Sequence, residues 1–290
     1  MAPGEPPRVW HTGVRFASVN GISPARASRV PGFRVPGSGV PDSRTAPWSS
    51  GADAARYERG RPDYPPALAA VLSEQLDLRA NSRVVDVAAG TGKLTRVLAR
   101  GPATVTAVEP QPGMLGQLHM ALPGTEVVAG TAEHLPIRSA SVDALTVGQA
   151  FHWFRVADAS HEFHRVLRPG GRLAVISNQR HEPEQWVKDL WSVLREYEKL
   201  APDPGSNRGW RTVLESTGEF GAFDRFEIPN EQRFSGQADF DARFTSVSFV
   251  ILLDEETRVS LLRDLHAVVA GVDPIVIPLR TVVEVTSRCG

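Results

Sequence analysis

A chain of 290 residues, 41% hydrophobic and 22% charged with a formal net charge of −1, has ample apolar content for a packed core and no basic footprint for nucleic acid. No apolar run approaches the roughly 20 residues that a membrane-spanning helix needs, so a small molecule is the expected partner. Cys289 is the single cysteine, which excludes an internal disulfide and favours a reducing, cytoplasmic setting, with the chain a monomer or homodimer.

Residues 1–50 are dense in Pro, Gly, Ser and Arg, contain only Glu5 and Asp42 as acids, and lack an apolar period, which predicts a disordered extension. An acid-poor, Arg-rich start also resembles a transit peptide, but Pro3, Pro6, Pro7, Pro24, Pro31 and Pro36 would break the amphipathic helix such a peptide needs. From Gly51 the composition is that of a globular domain, 51–290. Its cofactor-binding core is expected over about 80–178, with a helical cap insertion and the last strands over 179–290.

Strands and helices then alternate. The predicted order is a strand Arg83 to Val87, a helix Leu94 to Arg100, a strand Val105 to Glu109, a helix Gly113 to Ala121 and a strand Glu126 to Ala129. A strand Ala144 to Val147, a helix Ala157 to Leu167, an Arg168-Pro169-Gly170-Gly171 turn and a strand Arg172 to Ser177 follow. This is the pattern of an α/β, doubly wound, mostly parallel sheet with helices on both faces. Beyond it come an amphipathic stretch from Trp186 to Tyr197, a loop near Pro202 to Gly209 and a helix from Glu255 to Val269. Phe226 to Ile228 and Thr281 to Thr286 supply two more strands, the latter alternating like an antiparallel edge.

The chemistry concentrates after the first two strands. Val84-Val85-Asp86-Val87-Ala88-Ala89-Gly90-Thr91-Gly92 runs from an apolar strand into a glycine turn where backbone can approach a ligand, and Glu109 closes the next strand, placed to accept from both hydroxyls of a ribose. A dinucleotide fingerprint wants glycine or alanine at the position of Thr95, so that match is partial. Asp86, before the loop, can instead meet a cationic amino group, which favours a nucleoside bearing an amino acid.

With Ala107-Val108-Glu109-Pro110 and Met114-Leu115, Gly130-Thr131-Ala132-Glu133-His134-Leu135-Pro136 and Arg165-Val166-Leu167-Arg168-Pro169-Gly170-Gly171, the chain resembles the class I S-adenosylmethionine-dependent methyltransferases. The likeness runs over about residues 55–180. Gln149-Ala150-Phe151-His152-Trp153-Phe154 is similar to the trans-aconitate-like subset. The resemblance implies a Rossmann-like seven-stranded sheet with an antiparallel last strand, and S-adenosyl-L-methionine as cofactor. It implies that Asp86 and the Ala88, Gly90 and Gly92 backbone hold the methionine part, that Glu109 and Pro110 border the ribose, and that Met114 and Ala132 pack near the adenine. Thr131 stands where the family commonly has an aspartate for the adenine amino group, a contact open to Thr131, to backbone or to Glu133. Gln149 and Phe151 are implied beside the sulfonium, with Tyr57 and Arg61 covering the pocket. Ala88 departs from the family's usual first glycine.

His152 is the candidate general base, although a histidine between Phe151 and Trp153 is more simply explained as a packed member of an aromatic cluster. His161 and His164 share a helix face, but no third ligand is spaced to join them, so no metal is expected. Arg180, Arg211 and Arg280 are candidate contacts for an acidic acceptor, and nothing in the spacing selects among them. The expected activity is methyl transfer to a small molecule, at a carboxylate or hydroxyl oxygen. A nicotinamide-dependent oxidoreductase and a non-catalytic cofactor-binding module are the alternatives.

Overall fold

Ser50 opens the described part of the chain by capping a helix. Its Oγ accepts the Asp53 N–H at 3.1 Å, and α1 (Gly51–Gly60) closes where the Arg61 N–H donates to the Tyr57 carbonyl at 2.9 Å. The computed structural model describes residues 50–201 and 209–290. The extension expected over 1–50 lies outside them apart from Ser50, and so does the loop near Pro202 to Gly209 as far as residue 208.

The elements that follow are α2 (Leu68–Gln75), β1 (Arg83–Val87), α3 (Lys93–Leu98), β2 (Thr104–Val108), α4 (Pro112–Ala121), β3 (Glu126–Val128) and β4 (Val142–Gly148). A one-turn 3-10 helix (Phe151–Trp153) leads to α5 (Val156–Val166), β5 (Leu167–Arg180), α6 (Gln185–Glu198), α7 (Trp210–Ser216) and β6 (Asp224–Arg233). Last come α8 (Gln237–Thr245), α9 (Ser248–Ile251), α10 (Glu255–Val268) and β7 (Val276–Ser287). One seven-stranded sheet has the order β3-β2-β1-β4-β5-β7-β6, in which β7 alone runs antiparallel to its neighbours.

Alternation along β1 explains the two layers. Val85 and Val87 join Val108, Leu145, Val147 and the α5 residues Phe163 and Val166 on one face. Val84 faces the other way, toward Leu68 and Leu72 of α2 and Leu94, Val97 and Leu98 of α3. A third cluster lies outside this sandwich, where Leu190, Trp191 and Leu194 of α6 pack with Phe240 and Phe244 of α8, Leu261 and Leu265 of α10, and Ile277 and Leu279 of β7.

Two sequence expectations are corrected. The Arg168–Gly171 segment is not a turn ahead of the fifth strand: β5 already starts at Leu167, pairs with Val142, and bulges outward before Arg172 pairs with Ala144. The helix ends at Val166, ahead of Pro169, and Gly170, at φ +74°, takes the left-handed position in the bulge. Thr281 to Thr286 is not an edge either. β7 lies between β5 and β6, and Thr281, Glu284 and Thr286 are buried with the valines between them, so polar spacing had imitated the alternation of an exposed strand. The edge is β6, whose side chains alternate between half-buried and exposed along its length.

Candidate cofactor site at the carboxyl edge of the sheet

The switch point of this strand order falls between β1 and β4, where the connections leave toward opposite faces and a crevice opens past the strand ends. Both strands leave it through strained backbone. Ala88 (φ +54°) follows β1 and Gln149 (φ +59°) follows β4, a left-handed region that costs residues with a Cβ about 1–2 kcal/mol. Gly90 (φ +59°) adopts the same region without that cost, and an added Cβ there would stand in open space, so conformation alone selects the glycine.

Two carboxyl groups sit under this loop. Asp86 is fully buried; its Oδ2 accepts the Thr95 hydroxyl at 2.6 Å and its Oδ1 the Thr146 hydroxyl at 3.0 Å, which ties β1 to α3 and β4. Thr95, the residue that spoils a dinucleotide fingerprint, is thus what holds Asp86. Glu109 is 5% exposed; its Oε2 accepts the Gly90 N–H at 2.8 Å and its Oε1 the Gln111 N–H at 2.9 Å. Burial drives both carboxyls up to about pH 7, partly opposed by these donors, and for Glu109 the nearby Asp86 adds to the rise. Among the described residues neither carboxylate forms an ion pair.

Unspent hydrogen-bonding groups lie alongside. Thr131 Oγ and Gln111 Oε1 are buried without a partner among the described residues. Buried carboxyls and unpartnered acceptors suit a ligand that brings hydroxyl and amino donors, so the residues present fit a nucleoside cofactor such as S-adenosylmethionine. Pro110 stands between Glu109 and Gln111, and Met114 on α4 and Ala132 are both buried, 4% and 3% exposed. Glu133 accepts the Arg155 N–H at 3.0 Å and braces the start of α5.

The remaining predicted residues divide. Phe151 is core: at 2% exposure its ring packs against Phe154, Phe163 and Trp210, so it reaches a ligand only by its backbone. His152 stays half-buried with its ring 5.0 Å from Trp153. Gln149 donates from its own N–H to the Ile176 carbonyl at 2.9 Å, which locks the left-handed corner. His161 pairs with Glu219, whereas His164 meets the Cys289 carbonyl at 3.2 Å and Arg288, so the two rings serve different partners.

Helix α1 lies across the loop. In its last turn Glu58 accepts the Thr91 hydroxyl and, at 2.5 Å, Arg96 of α3, and the Gln232 amide donates to the Gly60 carbonyl at 3.1 Å. Only glycine fits there, since a Cβ on residue 60 would stand 2.1 Å from the Ala242 carbonyl oxygen. Tyr57 and Arg61 therefore belong to a helix end fixed to the glycine loop on one side and to β6 and α8 on the other. Sequence reasoning missed Gln111, Thr146 and Tyr64. Tyr64 is half-buried with its hydroxyl against Gly148, and that hydroxyl is held well above the usual phenol range by burial, by Tyr57 and by Asp86. A proline on each side of Gln111 was the available signal.

A buried acid pair under a glycine turn at the switch point defines a protein that binds a nucleoside cofactor. A family model for a methyltransferase domain matches residues 85–175. An uncharacterized methyltransferase of Mycobacterium tuberculosis is 47% identical over 149 residues, 50% of this chain and 58% of the relative, so the match spans little more than half of that protein. A methyltransferase-like protein of Schizosaccharomyces pombe is 31% identical over 207 residues, 71% of this chain and 80% of its own. Among solved structures, a type II methyltransferase from Anaeromyxobacter dehalogenans superposes with TM-score 0.57 at 24% identity, over 79% of this chain and 96% of that one. The chain belongs to the methyltransferase family and shares its fold with the solved relative, and S-adenosylmethionine is the cofactor that this family implies.

Proposed function

We propose that the chain transfers the methyl group of S-adenosylmethionine to an oxygen, carboxylate or hydroxyl, of a small-molecule acceptor. The observation that carries this reading is the pair Asp86 and Glu109, buried carboxyls at the switch point that form no ion pair among the described residues. Glu109 takes the ribose hydroxyls. Asp86, sealed beneath Thr95 and Thr146, favours the cofactor's ammonium group through its charge rather than by direct contact. The backbone of Ala88, Gly90 and Gly92 borders the methionine part, with Pro110 beside the ribose, Met114 and Ala132 against the adenine, and Thr131 accepting from its amino group. Glu133 supports this set through Arg155, Gln149 shapes the acceptor side, and Tyr57 and Arg61 exclude water from above.

The cofactor supplies an activated methyl group on a sulfonium. What the chain contributes is alignment and a dry site, because direct displacement gains most from holding the nucleophile in line. A carboxylate acceptor is already ionised at neutral pH and needs no base, whereas a hydroxyl acceptor loses its proton to His152.

Isothermal titration with S-adenosylhomocysteine, with NADH as control, tests the reading. Micromolar binding of the first alone is the expected result, and binding of NADH instead overturns it. His152→Gln is expected to lower turnover of a hydroxyl acceptor about 10²-fold or more with cofactor affinity retained. Full activity in that variant would return His152 to the aromatic cluster.

A further inference from the structure

The arginines considered for an acidic acceptor are engaged within the fold: Arg211 binds Glu284 at 2.5 Å, Arg280 binds Glu227 at 2.7 Å, and Arg180 stacks 4.5 Å over the Trp191 ring. The side chain of Gln111 is different. It occupies the N-cap position of α4, where a short Ser, Thr, Asp or Asn would accept an N–H from the first turn, and it makes no such bond. Its backbone N–H donates to Glu109 Oε1 at 2.9 Å, but its own Oε1 is buried without a partner among the described residues, in a residue only 8% exposed.

Two prolines hold it in that state. Pro110 and Pro112 flank Gln111, and a residue ahead of proline is confined to extended backbone, as its φ of −90° and ψ of 119° show. A buried carbonyl fixed in direction and left unpaired destabilises the fold until a donor arrives.

Thr131 stands on the neighbouring loop. β2 and β3 pair in parallel with Val108 opposite Val128, and the Glu109 N–H donates to the Val128 carbonyl at 3.1 Å, so the loops carrying Gln111 and Thr131 leave adjacent strands at one edge. The second loop is pressed onto the end of β2, since a Cβ on Gly130 would stand 3.0 Å from Val108 Cγ1. The Thr131 carbonyl accepts the His134 N–H at 3.2 Å, and the Thr131 Oγ is buried and unpartnered like the Gln111 carbonyl. Two acceptors on adjacent loops beside Glu109 match the two hydrogens of one exocyclic amino group.

We propose that Gln111 is the base-selecting residue of the cofactor site, its side-chain carbonyl accepting one hydrogen of the adenine amino group as Thr131 accepts the other. This rests on the methyltransferase reading, which supplies the adenine, and adds the basis of selection. A base with a carbonyl in that position, such as hypoxanthine, would turn an acceptor toward two acceptors and leave all three buried and unpaired. The site then rejects the wrong nucleoside by repulsion as well as by lost bonds.

The test is calorimetric titration of the full chain with S-adenosylhomocysteine and with S-inosylhomocysteine, in which a carbonyl replaces the amino group. The parent is expected to favour the adenosyl compound by about a hundredfold or more. Gln111→Met keeps the length and the apolar stem. It is expected to bind S-adenosylhomocysteine about tenfold more weakly and the inosyl compound no more weakly, so the preference falls about tenfold. Should it fail to fold, Gln111→Asn, which draws the amide back by one methylene, carries the same test. A parent without preference, a preference undiminished in the folded variant, or a loss shared equally by both compounds overturns the proposal, the last by making Gln111 a support of the loop. A parent that binds neither compound defeats the methyltransferase reading and the proposal with it, whereas tight S-adenosylhomocysteine binding with unaltered preference defeats base selection alone.

Discussion

The two ends of the one sheet treat charge in opposite ways. At the amino edge, Asp143 takes the Arg83 N–H at 2.6 Å and the Arg168 guanidinium at 2.5 Å, and Arg79 pairs with Asp77 at 2.7 Å around a cavity of about 420 Å³. At the carboxyl edge, among the described residues, the acids Asp86 and Glu109 form no ion pair with a cation, and Arg61 and Arg243 form none with an acid. The open cavity is therefore the place where polar groups are already satisfied, and the site lies where they are not, under α1. Unpaired buried charge marks a position kept for a partner, whereas paired surface charge marks only a stable end.

Breaking the carboxyl edge should change binding. Glu109→Ala is expected to cost about 1–3 kcal/mol of S-adenosylhomocysteine affinity, the range for hydrogen bonds to a charged acceptor, measured by calorimetry on a folded variant. Undiminished affinity would remove Glu109 from the site.

The same edge should make binding depend on pH. Both carboxyls sit near 7 in the free protein, raised from 3.8 and 4.5, and a cationic amino group with donating hydroxyls favours their ionised forms. Cofactor binding is then accompanied by proton release around neutrality, and affinity rises with pH by up to roughly tenfold per pH unit for each group below about 7 and levels off above it. Titration in buffers of different ionisation heat reads the released protons, and a buffer-independent enthalpy at pH 7 would contradict the uncompensated pair. For the ligand-free fold the sign reverses. Each carboxyl binds its proton more tightly when folded, so this contribution to stability is complete below about pH 4 and is lost as pH rises through 7.

At the amino edge the reverse signature is expected. Asp143→Ala should lower unfolding free energy by about 1 kcal/mol, through the lost Arg83 N–H bond and exposed ion pair, and leave cofactor affinity unchanged. A matching loss of affinity would blur the distinction between the two ends. The smallest effect belongs to Ala88→Gly. Relief of the left-handed strain, about 1–2 kcal/mol, is offset by the greater unfolded-state freedom of glycine, leaving a net gain below about 1 kcal/mol in urea unfolding.

The sheet was legible because its strands are apolar runs with sharp ends: β1 has the predicted bounds, and the β2 and β4 expectations differ only at the margins. β7 was misread because Thr281, Glu284 and Thr286 imitate an exposed face, although each is buried by its neighbours in the sheet. Asp86 and Glu109 could be singled out since each ends a strand, but the partners that define their state are distant in sequence, with Thr146 60 residues from Asp86. Gln111 showed only its two prolines, and no spacing reports that a side-chain carbonyl will be buried without a partner.

The anchoring of α1 bears on the order in which the chain assembles. Its partners at the Gly60 end, Gln232 and Ser246, follow 172 and 185 residues later, so α1 is made first and can dock last. Closing loops of that length early would be paid for in entropy before any contact rewarded it. During synthesis α1 has only its Glu58 contacts to Thr91 and Arg96 until β6 and α8 have emerged, and a chain truncated before Gln232 would hold the helix by those contacts alone.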